Sequence, residues 1–235
     1  MKLLAFDTST EILSIAVTAG EGAPVLEHTA AGGPQASAAL IPAVQDLLAR
    51  AGLALGELAA IAFGRGPGSF TGLRTAAAVA QGLGFGAGIP VLPIDTLLAV
   101  AEEARGQGGG DRIVAVLDAR MDEVYVAAYE RVDGLWHTRQ APALARPEDV
   151  QAPAGWVLAG NALELHAQRL PSAAGRITAL PTARALLRLA PAALAQGRHP
   201  AAEALPLYIR DKVAQTTEER AADRARKESL KRPST

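Results

Sequence analysis

The segment Gly64-Arg65-Gly66-Pro67-Gly68-Ser69-Phe70-Thr71-Gly72-Leu73-Arg74 carries the residue types best suited to holding an anion. It follows an apolar stretch, Ala59 to Phe63, and runs into an Ala-rich one, roughly Leu73 to Leu83. A strand, a glycine loop and a helix N-terminus in that order turn backbone N–H groups toward a bound phosphate or carboxylate. Ser69 and Thr71 would cap the helix, and Arg74 would supply a fixed charge. The loop lacks the Lys of a Walker sequence and the spacing of a dinucleotide fingerprint. A plainer reading competes: glycines also let a loop turn and let helices approach closely. Gly82, Gly84, Gly86 and Gly88, following Ala76, Ala77, Ala78 and Ala80, favour that structural or interface use.

Asp7 is the second candidate, at the end of the apolar run Leu3 to Phe6 and followed by Thr8, Ser9 and Thr10. An acid there would hold a hydrated magnesium ion or, equally simply, cap a turn. The remaining chemistry is sparse. His28, His137, His166 and His199 are far apart and form neither an HExxH nor an HxxxH pattern. With no Cys in the chain, disulfides, thiolate metal sites and a thiol nucleophile are excluded. Ser69 lies outside the G-x-S-x-G elbow of serine hydrolases. No catalytic residue, metal site or cofactor is assigned on these grounds.

The elements that must position these residues fall into two similar series. Leu3 to Phe6, a polar turn, and Ile12 to Val17 with alternating apolar residues predict a β-hairpin. A third short strand is expected around Val25 to Thr29. After the break at Gly106 to Gly110 the outline recurs: Ile113 to Leu117, a polar turn at Asp118 to Asp122, and alternation from Val124. At an offset of 111 residues Asp7 falls on Asp118, Leu13 on Val124, Ile15 on Val126 and Val25 on Trp136. This match of order and spacing predicts a duplicated lobe. In the second turn Arg120, Met121 and Glu123 suit a surface contact.

Between the hairpins the period changes to 3.6. Leu40, Val44, Leu47, Leu48 and Ala51 predict a helix over Ser37 to Arg50, capped by Ser37, stopped by Gly52 and bent or begun by Pro42. Trp156 to Ala159 reads as a strand, Ala183 to Leu194 as a helix despite Pro191, and Glu203 to Ile209 as a short segment. From Arg210 to Thr235 the chain carries 8 Lys or Arg against 5 Asp or Glu and is helix-compatible, with its end expected to be disordered. The expected organisation is an N-terminal lobe over 1–105, a C-terminal lobe over 111–210 and a charged tail over 211–235.

With 235 residues and 49% hydrophobic content the chain can bury a substantial core. A formal net charge of −1 gives no general attraction to nucleic acid or anionic membrane. Asp7 interrupts the first apolar run too early for a signal peptide or a membrane span, so a cytosolic protein is expected.

Asp7-Thr8-Ser9, the stretch Gly64 to Arg74, Asp118-Ala119-Arg120 with Glu123-Val124-Tyr125, and Pro206-Leu207-Tyr208-Ile209-Arg210 together resemble the bacterial TsaB (YeaZ) family. The long run Gly-Pro-Gly-Ser-Phe-Thr-Gly-Leu-Arg is the most specific element, and the resemblance covers nearly the whole chain. It implies an α/β protein of the duplicated actin/Hsp70/sugar-kinase (ribonuclease H-like) fold, each lobe with a mixed sheet and helices. It also implies a non-catalytic subunit of the assembly that makes N6-threonylcarbamoyladenosine beside the anticodon of tRNAs reading codons that begin with A. A TsaD-like paralogue would carry out the transfer from threonylcarbamoyl-adenylate, joined by a TsaE-like ATPase. This chain would pair with the paralogue, or with itself when alone, and would meet tRNA only through the complex.

The resemblance maps the family's interface helices onto Ser37 to Arg50 and Leu73 to Gly84. Ser37, Leu40, Val44, Leu47, Leu73, Ala76, Ala77 and Ala80 are thus the expected partner contacts. The sequence departs at Ala36, where many relatives have His, and no counterpart exists to the paralogue's HxxxH metal helix. Asp7, Thr8, Gly66, Gly68, Ser69 and Arg74 remain candidates for weak nucleotide or anion binding. The alternatives are a small-molecule kinase or ATPase of the same superfold, which lacks a second carboxylate here, and a glycoprotease-like peptidase, which the scattered histidines oppose.

Overall fold

A computed structural model describes residues 1–210, and the charged tail read over 211–235 lies outside the described residues. Two five-stranded sheets form the frame. The first contains β1 (Leu3–Asp7), β2 (Ile12–Thr18), β3 (Val25–Ala31), β4 (Ala60–Gly66) and β5 (Val91–Asp95) in the order β3-β2-β1-β4-β5. The second contains β6 (Arg112–Asp118), β7 (Val124–Val132), β8 (Leu135–Ala145), β9 (Val157–Ala159) and β10 (Gly175–Ile177) in the order β8-β7-β6-β9-β10. In both, the first strand pairs antiparallel with the second and parallel with the fourth, and the fourth runs parallel to the fifth. Both lobes therefore hold a mixed open sheet of identical topology, as a duplicated actin-like or ribonuclease H-like fold requires.

The pairing also corrects one detail of the 111-residue offset. Leu13 and Ile15 face the first lobe's outer core, and Val124 and Val126 face the second lobe's outer core, so those equivalences preserve the sheet face. Asp7 and Asp118 do not correspond. Asp7 lies on the face of Leu3 and Ala5, and Asp118 on the face of Val114 and Val116. The cause is the turn: six residues separate the paired Asp7 and Ser14, but only five separate Asp118 and Val124. Removing one residue moves a strand's side chains to the opposite face.

Helices α1 (Ala36–Arg50) and α2 (Phe70–Ala87) cover one face of the first sheet. Leu40, Val44, Leu47, Ala76, Ala77 and Ala80 meet Leu4, Phe6, Leu13, Ile15 and Phe63 there. Two further helices are exchanged between the lobes. α3 (Thr96–Gly106) follows β5 yet packs Leu97, Val100, Ala101 and Ala104 against Ile113, Ala115 and Leu117 of the second sheet. α5 (Ala183–Gln196) follows β10 yet lays Leu186, Leu189 and Ala190 on Leu3, Ala5, Ala16, Ala62 and Leu92 of the first. The alanines on that sheet face let α5 approach closely. The outer face of the second sheet is covered by α4 (Ala162–Leu165) and the loops around Val150 and Leu170.

A buried carboxylate fastens the exchange. Glu102 on α3 accepts hydrogen bonds from Arg188 Nε on α5 (2.7 Å), Trp136 Nε1 on β8 (2.8 Å) and Arg105 Nη2 (2.8 Å). Burial alone would raise its pKa, but the bonds from Arg105, Trp136 and Arg188 outweigh that and hold it below the usual glutamate value. Beside it, Thr182 caps α5 by accepting from Ala185 N (3.1 Å) while donating to Glu103 (2.7 Å).

Local expectations held unevenly. Gly52, at φ 65°, ends α1 as read from sequence. Ser37 is not the cap, however: it lies exposed in the first turn of a helix that starts one residue earlier, after Gln35. Pro42 falls inside α1, and Pro191 inside α5. The second helix is longer than read, ending at the left-handed Gly88. None of the described helices is long and apolar enough to cross a membrane.

Candidate functional site

Asp7 ends the central strand β1, where the glycine loop between β4 and α2 and the start of α3 converge. Its side chain is fully buried. One carboxylate oxygen accepts from Ser9 N (2.8 Å) and Ser9 Oγ (2.6 Å), the other from Thr96 Oγ1 (3.4 Å). Burial pushes its pKa up to about 6, and the Ser9 and Thr96 bonds oppose that rise without overcoming it. A β-carbon on Gly64 would overlap this carboxylate. The acid is thus sealed among its own neighbours.

The glycine loop is closed in the same way. Ser69 N donates to Ser9 O (2.7 Å), Gly66 N to Thr96 Oγ1 (3.1 Å), and Thr8 Oγ1 to Gly72 O (2.6 Å). Side chains at Gly68 or Gly72 would collide with the backbone of Ser9 or Thr8. The structure therefore brings Asp7, Thr8, Gly66, Gly68 and Ser69 together, as read from sequence, with the Asp7 carboxylate, the Thr8 hydroxyl and the Gly66 and Ser69 N–H groups bonded within the chain. Ser69 is exposed at the start of α2, with no side-chain capping bond. Arg74 leaves the group altogether. Its guanidinium lies 4.0 Å from the Phe70 ring centroid, and its Nε donates to Tyr208 Oη at 3.1 Å.

Beyond this knot a cleft of about 380 Å³ opens between the lobes, lined by Ser9, Glu11, Asp118, Arg120, Asn161 and Tyr208 among others. Asn161 Oδ1 accepts from Asp118 N (2.9 Å), which steadies the end of β6. Asn161 and Tyr208 were not singled out for this place by sequence reasoning. Among the described residues no group of three or more His, Cys, Asp and Glu side chains could hold a metal ion.

The expected partner contacts require a correction. Leu40, Val44, Leu47, Leu73, Ala76, Ala77 and Ala80 are buried in the chain's own interior, and of the eight only Ser37 is exposed. The apolar stripe of an amphipathic helix faces its own sheet first, so a stripe read from sequence marks the inner face. The outer face of the same helices is different. α1 presents Ala38, Ile41 and Pro42, with Ile41 42% exposed. α2 presents Ala78, Gly82, Phe85 and Gly86, and Phe85 is 85% exposed. A β-carbon on Gly82 or Gly86 would meet nothing within 4 Å, so nothing among the described residues requires glycine there.

The family model that matches, over residues 28–218, is that of TsaD, tRNA N6-adenosine threonylcarbamoyltransferase. The tRNA threonylcarbamoyladenosine biosynthesis protein TsaB of Escherichia coli K12 is 36% identical over 226 residues, covering 91% of this chain and 96% of that protein. The TsaB protein of Haemophilus influenzae is 44% identical over 137 residues, or 56% of this chain and 55% of that one. The solved structure of YeaZ from Pseudomonas aeruginosa superimposes with a TM-score of 0.81 at 42% identity, covering 88% of this chain and 99% of that one. A second Pseudomonas aeruginosa structure, described as similar to the peptidase YeaZ, gives 0.82 at 40% identity, with 89% and 99% covered. With sequence identity and fold shared along almost the full length of both chains, this protein belongs to the TsaB (YeaZ) family.

Proposed function

We propose that this chain is a non-catalytic accessory subunit of the assembly that builds threonylcarbamoyladenosine in tRNA, and that the outer face of α1 and α2 is where it docks. The observation that carries the docking site is Phe85, almost wholly exposed on a helix face of Ala78, Gly82 and Gly86. Exposing a large aromatic beside small residues costs solubility unless a partner helix covers it, and small residues let that helix come close. The partner is a TsaD-like paralogue, with a TsaE-like ATPase joining the pair. The free chain covers the same face with a second copy of itself, and tRNA is reached only through the complex. The sealed Asp7 fits this role, since phosphoryl transfer needs an acid that can reach a metal ion.

Light scattering on the purified chain, alone and mixed with the TsaD-like protein of the same organism, tests the reading. The expected result is a homodimer that gives way to a heterodimer, with Phe85→Asp abolishing both while leaving the monomer folded. A chain that stays monomeric and ignores the paralogue overturns it. So does Mg-ATP hydrolysis by the isolated chain that disappears in Asp7→Asn.

A further inference from the structure

The segment Pro206-Leu207-Tyr208-Ile209-Arg210 belongs to no helix or strand, yet it is tied at both ends to opposite walls of the cleft. At the first lobe, Leu207 N donates to Arg65 O (2.7 Å), and Leu207 O lies so close to Gly66 that a β-carbon there would approach within 2.6 Å. The Tyr208 ring packs on Phe70 with centroids 5.3 Å apart, and Arg74 donates to its hydroxyl. Two residues on, Arg210 reaches the second lobe. Its Nη2 lies 2.8 Å from Glu123 Oε2 and 3.0 Å from Ala119 O, and its Nη1 lies 3.3 Å from Met121 Sδ.

The turn that Arg210 grips is itself unusual. Arg120, Met121 and Asp122 all have positive φ, at 61°, 54° and 66°. Each non-glycine residue in that region costs on the order of 1 kcal/mol, so three in succession persist only where neighbours enforce them. Two sets of neighbours do so. Arg169 pairs with Asp122 (2.6 Å) from outside, and Arg210 holds the turn from the cleft side. From one guanidinium Arg210 donates to the Ala119 carbonyl and pairs with the Glu123 carboxylate through Nη2 while Nη1 meets Met121, a spread of contacts that a lysine ammonium does not reproduce.

We infer that Pro206–Arg210 is a clamp that sets the closure of the two lobes, with its two ends acting as one unit. The chain's own peptide lines the cleft and contacts both walls, adding a tie at the cleft to the α3 and α5 exchange that already joins the lobes. Tyr208 and Arg210 are positioning residues in this scheme.

Hydrogen–deuterium exchange of the full chain, read on peptides covering 64–74 and 118–125, tests the coupling. Arg210→Ala cuts only the second-lobe end, yet exchange is expected to rise about tenfold or more in both peptides, while β1 and β2 keep their protection. Tyr208→Ala weakens the first-lobe end, leaving the Leu207 N to Arg65 O bond in place, and should loosen 118–125 in return. Arg210→Lys, which keeps the charge and loses the planar guanidinium, should fall between wild type and Arg210→Ala. If each variant loosens only the wall it touches, the segment is a pair of independent tethers and the clamp is overturned. Glu123→Gln removes the same ion pair from the other side and carries the test should Arg210→Ala fail to fold.

Discussion

Gly64 lies directly against the carboxylate of Asp7, leaving no room at its α-carbon for a side chain. The pair shows that the glycine-rich loop and the acid at the strand end pack against each other as a tight joint. Gly64→Ala must push the loop off β1 and is expected to cost about 1–3 kcal/mol or more, as overpacking of a closed site does. Urea unfolding at fixed protein concentration measures it. An alanine variant as stable as wild type would show that the joint is loose enough to admit a ligand.

Asp7 gives a pH signature with a definite sign. Its pKa is about 6 when folded, against 3.8 as the ordinary value. The folded state thus holds the proton more tightly, and this stabilising contribution is complete below about pH 3.8 and lost as pH rises through 6. Asp7→Asn keeps the shape and removes the charge. It should stabilise the protein at pH 7.5 by roughly 2–3 kcal/mol, a gain that falls to about 1 kcal/mol at pH 4.5 and vanishes only below pH 3.8. Paired unfolding curves between pH 4.5 and 8 test this. A loss of stability at pH 7.5 would mean that Asp7 is needed in its charged form.

The two faces of α1 and α2 separate stability from assembly. Leu47→Ala opens a cavity in the first lobe and should cost about 2–5 kcal/mol. Phe85→Asp touches nothing buried and should leave the monomer's stability within about 0.5 kcal/mol of wild type. Only the second should abolish association. Thermal unfolding and light scattering on both variants provide the comparison, and equal effects on both readouts would mean the faces are not independent.

Glu102 is the third point of leverage. Glu102→Ala leaves Arg188 and the Trp136 indole without their shared acceptor, and a loss of about 3 kcal/mol is expected. Trp136→Phe removes one bond and should cost about 1–2 kcal/mol. In a double-mutant cycle with Arg188→Ala the effects should be strongly non-additive. Additive losses would mean that Glu102 does not couple α3 to α5.

Much of this architecture was legible in sequence because alternation and helical period are local signals. The hairpins at Leu3–Thr18 and Arg112–Val132, and the helices around Leu40 and Ala76, were read within a few residues of their ends. β5 and α3 were passed over, although Leu97, Val100, Ala101 and Ala104 have helical spacing. Pro93 and the glycines around them obscured the pattern. What sequence could not supply was facing. A single deleted turn residue inverted the Asp7–Asp118 equivalence, and an apolar stripe does not say whether it meets its own sheet or a partner. The cleft residues were hidden for a related reason. Asn161, Tyr208 and Arg210 are placed by tertiary contacts over as many as 134 residues, which no local period records.

The exchange of α3 and α5 bears on how the chain is made. The first sheet emerges from the ribosome early, but the helix that covers its inner face, Ala183–Gln196, is among the last described segments to be synthesised. Until then Leu3, Ala5, Ala16, Ala62 and Leu92 have no cover, while α3 waits for a second sheet not yet translated. Half a protein of this design is not a smaller protein. A ribosome stalled near residue 110 holds a chain with one bare sheet face and one orphan amphipathic helix, the kind of nascent product that chaperones retain and proteases clear.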